Sequence, residues 1–117
     1  MKQTEAFRVL ASADRQLVLH TLVERGREVT VEELSRQVAA RRHRLAPDQI
    51  DDQQVERARV RLVHTHFPHL VERNVVEIDW SERVVTLSDD ECLGELFDAA
   101  EELDGWPPTD LLEQPSS

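Results

Sequence analysis

A change of hydrophobic period between Val60 and Asp79 constrains the fold of this chain more than any other feature. In the stretch VRLVHTHFPHLVERNVVEID, apolar residues first return to one side at helical spacing and then alternate. The first pattern is typical of an amphipathic helix and the second of a strand with one buried face. Asn74 lies at the change, and a helix often ends in a left-handed Gly or Asn. The stretch therefore predicts a long helix that runs directly into a strand.

The long helix is predicted to cover about residues 53–73, with Asp51 or Asp52 as its cap. Its apolar side is formed by Val55, Ala58, Leu62, Phe67 and Leu70. Pro68 lies inside this helix and has no backbone N–H to donate, so it predicts a kink or a division into two helices. We favour the kinked helix.

Three shorter helices are predicted before it. The first covers residues 5–11, and the second begins at Ser12, a typical N-cap, and ends at Gly26. The third begins with Thr30 and Glu33 in the spacing of a capping box. The polar segment HRLAPDQIDD separates this helix from the long one and is predicted to be a loop.

Two strands and one further helix follow the long helix. The segments VVEIDW and RVVTL predict a hairpin over residues 75–87, although Ser-Glu is not a favoured two-residue turn and a bulge or a longer loop is the alternative. Residues 89–105 predict an amphipathic helix, and residues 106–117 an acidic flexible tail. The apolar stripe of that helix consists of Leu93, Leu96, Phe97, Ala100 and Leu103.

The charge of the chain is divided unevenly. All 14 basic residues and 14 of the 24 acidic residues lie within residues 1–87, so the net charge of −10 belongs to the last thirty residues. Thirteen of the bases are Arg and one is Lys. An acidic, lysine-poor composition indicates a salt-loving source, since such surfaces stay hydrated in concentrated salt, whereas a GC-rich genome is the alternative explanation.

The order of elements resembles a winged helix-turn-helix domain. LASADRQLVLHTLVERG, TVEELSRQVA and HTHFPHLVERNVVEID resemble the three helices of small archaeal and bacterial winged-helix regulators, and most closely the uncharacterised domains of haloarchaea. The resemblance covers Phe7 to about Leu87. It implies an α+β, mainly α fold over residues 1–88 with a two-stranded wing, and it implies DNA binding and transcriptional regulation. The connector after Arg42 is longer than the three or four residues of an ordinary helix-turn-helix.

If the third helix of the motif enters the major groove, its outward side is the surface that reads DNA. Arg57, Arg61 and Thr65 are spaced four apart on that side, with His64 at its edge, and these side chains can bind bases or phosphates. The alternative is a solvated face on which the arginines pair with nearby acids. Further contacts are expected from bases outside this helix, namely from Arg41, Arg42 and Arg44 to phosphates and from Arg83 at the tip of the wing.

The histidines and the single cysteine predict neither a metal site nor a disulfide within the chain. His64 and His66 point to different sides of a helix, and a zinc site needs three or four converging ligands. His66 is expected to be a packed residue that bonds to backbone. The sequence contains no glycine-rich phosphate loop and no nucleophile elbow, so we expect no enzyme activity and no cofactor.

The expected partners are double-stranded DNA and a second copy of the chain. A homodimer through the stripe of the last helix suits a two-fold operator, although that stripe can instead pack against the first helix of its own chain. The sequence contains no long apolar run and no secretory leader, so we expect a cytoplasmic protein that contacts no membrane. The competing hypothesis is a protein-interaction module, because the neutral body lacks the basic excess of most DNA-binding domains.

Overall fold

The predicted α+β, mainly α fold is confirmed, and its arrangement is winged-helix-like. A computed structural model describes residues 2–88, 92–103 and 106. The helices are α1 (Gln3–Leu10), α2 (Ala13–Glu24), α3 (Val31–His43), α4 (Asp52–Arg61), α5 (Phe67–Glu72) and α6 (Cys92–Glu101). The strands are β1 (Glu28–Thr30), β2 (Val76–Asp79) and β3 (Val84–Leu87).

Side-chain caps fix the starts of three helices where the sequence predicted them. The Ser12 hydroxyl accepts the amide three residues on, at 3.3 Å, and the Thr30 hydroxyl accepts the Glu33 amide at 3.0 Å. Asp51 and Gln54 form a reciprocal pair, since each side chain accepts the backbone N–H of the other at 2.8 and 3.0 Å. Each cap satisfies an amide that has no partner within its own helix.

The sheet has one strand more than the sequence predicted. Its order is β1-β3-β2, and both pairs are antiparallel. Val29 of β1 and Ile78 of β2 both lie opposite Val85 of β3. The two-stranded wing was therefore an incomplete prediction: a third strand of only three residues joins it, and so short a strand has no clear period in the sequence.

Asn74 makes the transition from helix to wing as predicted. It adopts a left-handed backbone with φ +60°, and the next amide, of Val75, donates to the Leu70 carbonyl at 2.9 Å. This is the bond that closes a helix before a left-handed residue. Residues 80–83 then form a four-residue loop between β2 and β3, which confirms the longer of the two predicted turns.

The connector between α3 and α4 is an ordered segment. It contains a 3₁₀ turn, Pro47–Gln49, and it buries Ile50 in the core. The guanidinium of Arg36 donates to the carbonyls of Pro47 and Ile50 at 3.2 and 3.3 Å. One arginine and one apolar anchor thus hold the eight residues 44–51 that separate the two helices.

The apolar stripe of α6 packs against α1 of the same chain. Leu93, Leu96 and Ala100 are buried there, and Phe97 and Leu103 are half-buried against the core. Of the two packing partners that the sequence left open, the structure shows the one within the chain. A homodimer remains a prediction, and it would have to use side chains other than the three that are already buried.

Trp106 packs after this helix, with its ring 5.8 Å from that of His20 in α2 and 6.1 Å from that of Phe97. The rest of the predicted tail, residues 107–117, lies outside the described residues.

Candidate nucleic-acid interface

The long third helix of the motif is continuous from Asp52 to Glu72 but widens in the middle. Between α4 and α5 lies a π-helical turn, Leu62–His66, in which the Phe67 amide donates to the carbonyl of Leu62 five residues back. Because Pro68 has no N–H, the bond from position 68 to its i−4 carbonyl is missing, and a wider turn accommodates the loss. The predicted irregularity before Pro68 is present in this form.

The residues predicted for the reading side differ in exposure. Arg57, His64 and Thr65 are exposed, as that prediction requires. Arg61 is half-buried and lies on the flank of α4 that faces Arg42 and Asp14. The apolar side chain of Val60 is instead 42% exposed on the outer side.

The predicted phosphate-binding residues lie at the end of α3. Arg42 and Arg44 are exposed and Arg41 is half-buried. Arg44 has a left-handed backbone with φ +54° and ends the helix, as the Leu45 amide donates to the Ala40 carbonyl at 3.1 Å. Cations at this position complement the exposed carbonyls of a helix end, and this structural role is compatible with the predicted phosphate contacts.

A groove, which we call the wing groove, separates α4 from the tip of the wing. It is bordered by α4 from Asp52 to Arg59, by the first half of α3 and by the loop between β2 and β3. Three arginines line it: Arg36, Arg59 and Arg83. Four acids line it as well: Glu32, Asp52, Glu56 and Glu82. The predicted residue Arg83 therefore lies in a groove of nearly balanced charge, on the other flank of α4 from Arg61.

Within this groove, Glu56 and Arg59 form an exposed ion pair one helical turn apart. The guanidinium bond lowers the pKa of Glu56 and raises that of Arg59. The sequence allowed an alternative in which arginines of this helix pair with nearby acids. Such a pair occurs at Arg59, a residue with no predicted role. Arg57 lies on the more exposed side of the same helix.

The tip of the wing is ordered by one carboxylate. Asp79 Oδ1 accepts the Ser81 amide at 3.0 Å, the Ser81 hydroxyl at 2.6 Å and the Glu82 amide at 3.2 Å, and these bonds hold its pKa below the usual value. Arg83 has φ +55°, and its carbonyl accepts the Val31 amide of α3 at 2.9 Å. The loop presents Trp80 with 54% of its surface exposed.

A buried carboxylate connects the long helix formed by α4, the π turn and α5 to the rest of the domain. Asp14, in the first turn of α2, has Oδ2 3.5 Å from Nε2 of His66 in the π turn and 3.7 Å from Nη2 of Arg42 in α3. The other ring nitrogen of His66, Nδ1, is 3.2 Å from Nη1 of Arg15. A guanidinium can only donate, so Nδ1 accepts and Nε2 carries the proton directed at Asp14.

This arrangement corrects the prediction that His66 bonds to backbone, because its partners are two side chains of α2. Arg15 extends the connection to α1, where it donates to the carbonyls of Val9 at 2.8 Å and Arg8 at 2.9 Å. Those carbonyls belong to the last turn of α1, where carbonyls lack the i+4 amide of a continuing helix, and that of Arg8 also accepts the Ala11 amide at 3.3 Å. The π turn is thereby linked to α1, α2 and α3 through one histidine.

Electrostatics around Asp14 follow from its neighbours. The hydrogen bond from His66 lowers the pKa of the Asp14 carboxyl, and the charges of Arg42 and Arg61 reinforce that effect against the opposing effect of burial. Nearby, burial lowers the pKa of His69, and the charges of Arg15 and Arg73 lower it further. Neither Asp14 nor His66 was predicted as a functional residue, since only the folded chain brings them together.

Within the described residues, no group of three His, Cys, Asp or Glu side chains is arranged to hold a metal ion. No helix among those residues is long and apolar enough to span a membrane.

Comparison with known protein families identifies the family of this chain. Residues 7–86 match the family described as domain of unknown function DUF7344, and the chain belongs to that family. The match begins within α1, covers the elements from α2 to β3 except the last residue of β3, and excludes α6. Neither the comparison with curated proteins nor that with solved structures returned a match.

Proposed function

We propose that this protein is a DNA-binding transcriptional regulator in which α4 and the π turn enter the major groove and the hairpin acts as the wing. The observation that carries the proposal is that α4 and the wing tip border one groove, with Arg57, His64 and Thr65 exposed on the same helix. An Arg side chain can form bidentate hydrogen bonds with guanine or with a phosphate, and His and Thr side chains can accept or donate hydrogen bonds. Arg42 and Arg44 at the end of α3 would contact phosphates.

The balanced charge of the body fits this proposal best in a salt-rich cell. In molar salt the screening length falls to about 3 Å, so long-range attraction contributes little and short-range fit must supply the affinity. The single lysine and the net charge of −10 support such an environment. The homodimer is a prediction that this proposal does not require.

Binding of duplex DNA by the native chain in a KCl series tests the proposal. Fluorescence anisotropy of labelled duplexes is expected to show binding that weakens as salt rises, with a log–log slope set by the number of phosphates contacted. Arg57→Ala should weaken binding, whereas Lys2→Ala, which removes the same charge from the start of the chain, should not. Equal effects of the two variants would contradict a reading role for Arg57.

A second function, capture of another protein, is favoured by one observation. The wing groove carries four acids against three arginines, and the exposed Trp80 lies on the same wing loop as Glu82 and Arg83, which line that groove. Exposed aromatic residues are enriched at the centre of protein interfaces. On this hypothesis Trp80→Ala abolishes partner capture while Arg57→Ala leaves it unchanged, which is the reverse of the pattern that DNA binding predicts.

A further inference from the structure

Asp14 is a buried carboxylate that lies within a group of bases. Its side chain is 11% exposed and is approached by His66 and Arg42 at 3.5 and 3.7 Å. Arg61 is close enough for its charge to act on both Asp14 and Arg42. The group therefore combines one negative charge with Arg42, which we assign to phosphate contacts, and with Arg61, which the sequence predicted for the reading side.

The two arginines differ in how freely they can move. The side chain of Arg42 is 50% exposed, so it is able to reach solvent or a phosphate. Arg61 is half-buried on the flank of α4. Asp14 itself is too buried to touch a nucleic acid, and any effect it has on DNA binding must act through these neighbours.

We propose that Asp14 is a positioning residue that restrains Arg42 and thereby limits binding to DNA of arbitrary sequence. The inference rests on the proposed function and adds to it a determinant of specificity. Affinity for arbitrary DNA comes from neutralisation of phosphates by Arg and Lys, whereas discrimination comes from base contacts and fit. A carboxylate that cancels charge and holds an arginine back reduces the first contribution and leaves the second intact.

The direction of the effect follows from this balance. Asp14→Asn keeps the shape of the side chain and removes its charge. In the native chain Arg42 contacts a phosphate only in the fitted complex with a selected sequence, because Asp14 holds it back from arbitrary DNA. In the variant Arg42 binds a phosphate of arbitrary DNA as well, which raises the affinity for such DNA. The ratio between the affinity for a selected sequence and that for arbitrary DNA falls accordingly.

The test compares Asp14→Asn with Asp98→Asn, which makes the same change of charge at an exposed site on α6. Anisotropy titrations would use a duplex of scrambled sequence and a duplex selected by the native chain, each over a KCl series. For Asp14→Asn the log–log salt slope on the scrambled duplex should steepen by about 0.9, the value for one additional phosphate. Asp98→Asn should leave the slope unchanged.

A second pair of variants keeps the inference testable if Asp14→Asn does not fold, which circular dichroism would show. Arg42→Gln and Arg44→Gln each remove one exposed arginine from the end of α3. Because Asp14 already restrains Arg42, Arg42→Gln should weaken binding to the scrambled duplex less than Arg44→Gln does.

An equal or larger loss for Arg42→Gln overturns the inference, as does an unchanged salt slope for a folded Asp14→Asn. Both results leave DNA binding by the native chain in place. Failure of the native chain to bind either duplex overturns the proposed function itself, and the inference with it.

Discussion

His66 Nε2 lies 3.5 Å from Asp14 Oδ2, so the π turn between α4 and α5 is fixed to the first turn of α2. The opposite ring nitrogen accepts from Arg15, which also caps the carbonyl end of α1. The part of the helix that carries His64 and Thr65 therefore takes its orientation from contacts with neighbouring helices, besides the apolar core. A π turn often marks a functional position in a helix, and here it lies within the proposed DNA surface.

Replacement of His66 by Ala should destabilise the domain more than replacement of His64. The first change leaves Asp14 and Arg15 without their shared partner in a half-buried site, which costs about 1–3 kcal/mol. The second removes an exposed ring and should change stability by about 0.5 kcal/mol or less. Urea unfolding followed by circular dichroism measures both free energies of unfolding. Equal losses would mean that the contact between His66 and Asp14 contributes nothing.

His69 should make the domain less stable at mildly acidic pH. Its pKa in the folded chain is below the usual 6.5, so the unfolded chain takes up this proton first. The stability that depends on neutral His69 is therefore complete above pH 6.5, and it is lost as the pH drops through 6.5 towards the folded pKa. The urea midpoint of the native chain should be lower at about pH 5 than at about pH 8, and His69→Gln should make this decrease smaller. His64→Gln, at an exposed histidine, serves as the control, and an identical reduction in both variants would refute the assignment.

Asp79→Ala should disorder the tip of the wing without unfolding the domain. The substitution removes the acceptor of three hydrogen bonds, from the Ser81 amide and hydroxyl and from the Glu82 amide. Amide hydrogen exchange at both residues should become faster, while amides of α2 remain protected. Asp79→Asn keeps the Oδ1 acceptor and should retain most of the protection. Slow exchange at Ser81 in the alanine variant would show that the loop is held by other contacts.

Leu96→Ala should lower the free energy of unfolding of the monomer. The side chain is fully buried where α6 packs on α1, and such truncations cost about 2–5 kcal/mol. Because this packing is within one chain, the urea midpoints of the native protein and of the variant should not change over about a hundredfold range of protein concentration. A midpoint that rises with concentration would show that burial of this stripe depends on a second copy.

The sequence was most informative where a single residue determines local structure. Ser12, Thr30 and Asp51 each supply an oxygen to an exposed amide, and Asn74 tolerates a left-handed backbone, so four element boundaries could be predicted from residue type. Strand β1 could not, because three residues show no period. The ordered connector also escaped prediction, since its anchors at Arg36 act across more than ten positions.

The candidate site was predicted less well because helical spacing assumes a regular helix and says nothing about the neighbours. Arg61 falls four residues after Arg57, yet one is exposed and the other faces Asp14. The position of Arg61 is set by the packing of α4 against α3, which no spacing within α4 reveals. Asp14 is an acid in the first turn of α2, a common position for an acid in any helix, and only tertiary packing places it beside His66 and Arg42.

The most direct test of the central claim is selection of bound fragments from a genomic DNA pool in molar KCl by the native chain and by the double variant Arg57→Ala/His64→Ala. Both residues are exposed on the third helix, so the variant should fold normally, and circular dichroism in the same salt verifies this. We predict that the native chain enriches a shared sequence and that the variant loses that enrichment. If neither folded protein enriches any sequence, this chain is not a sequence-specific DNA-binding regulator.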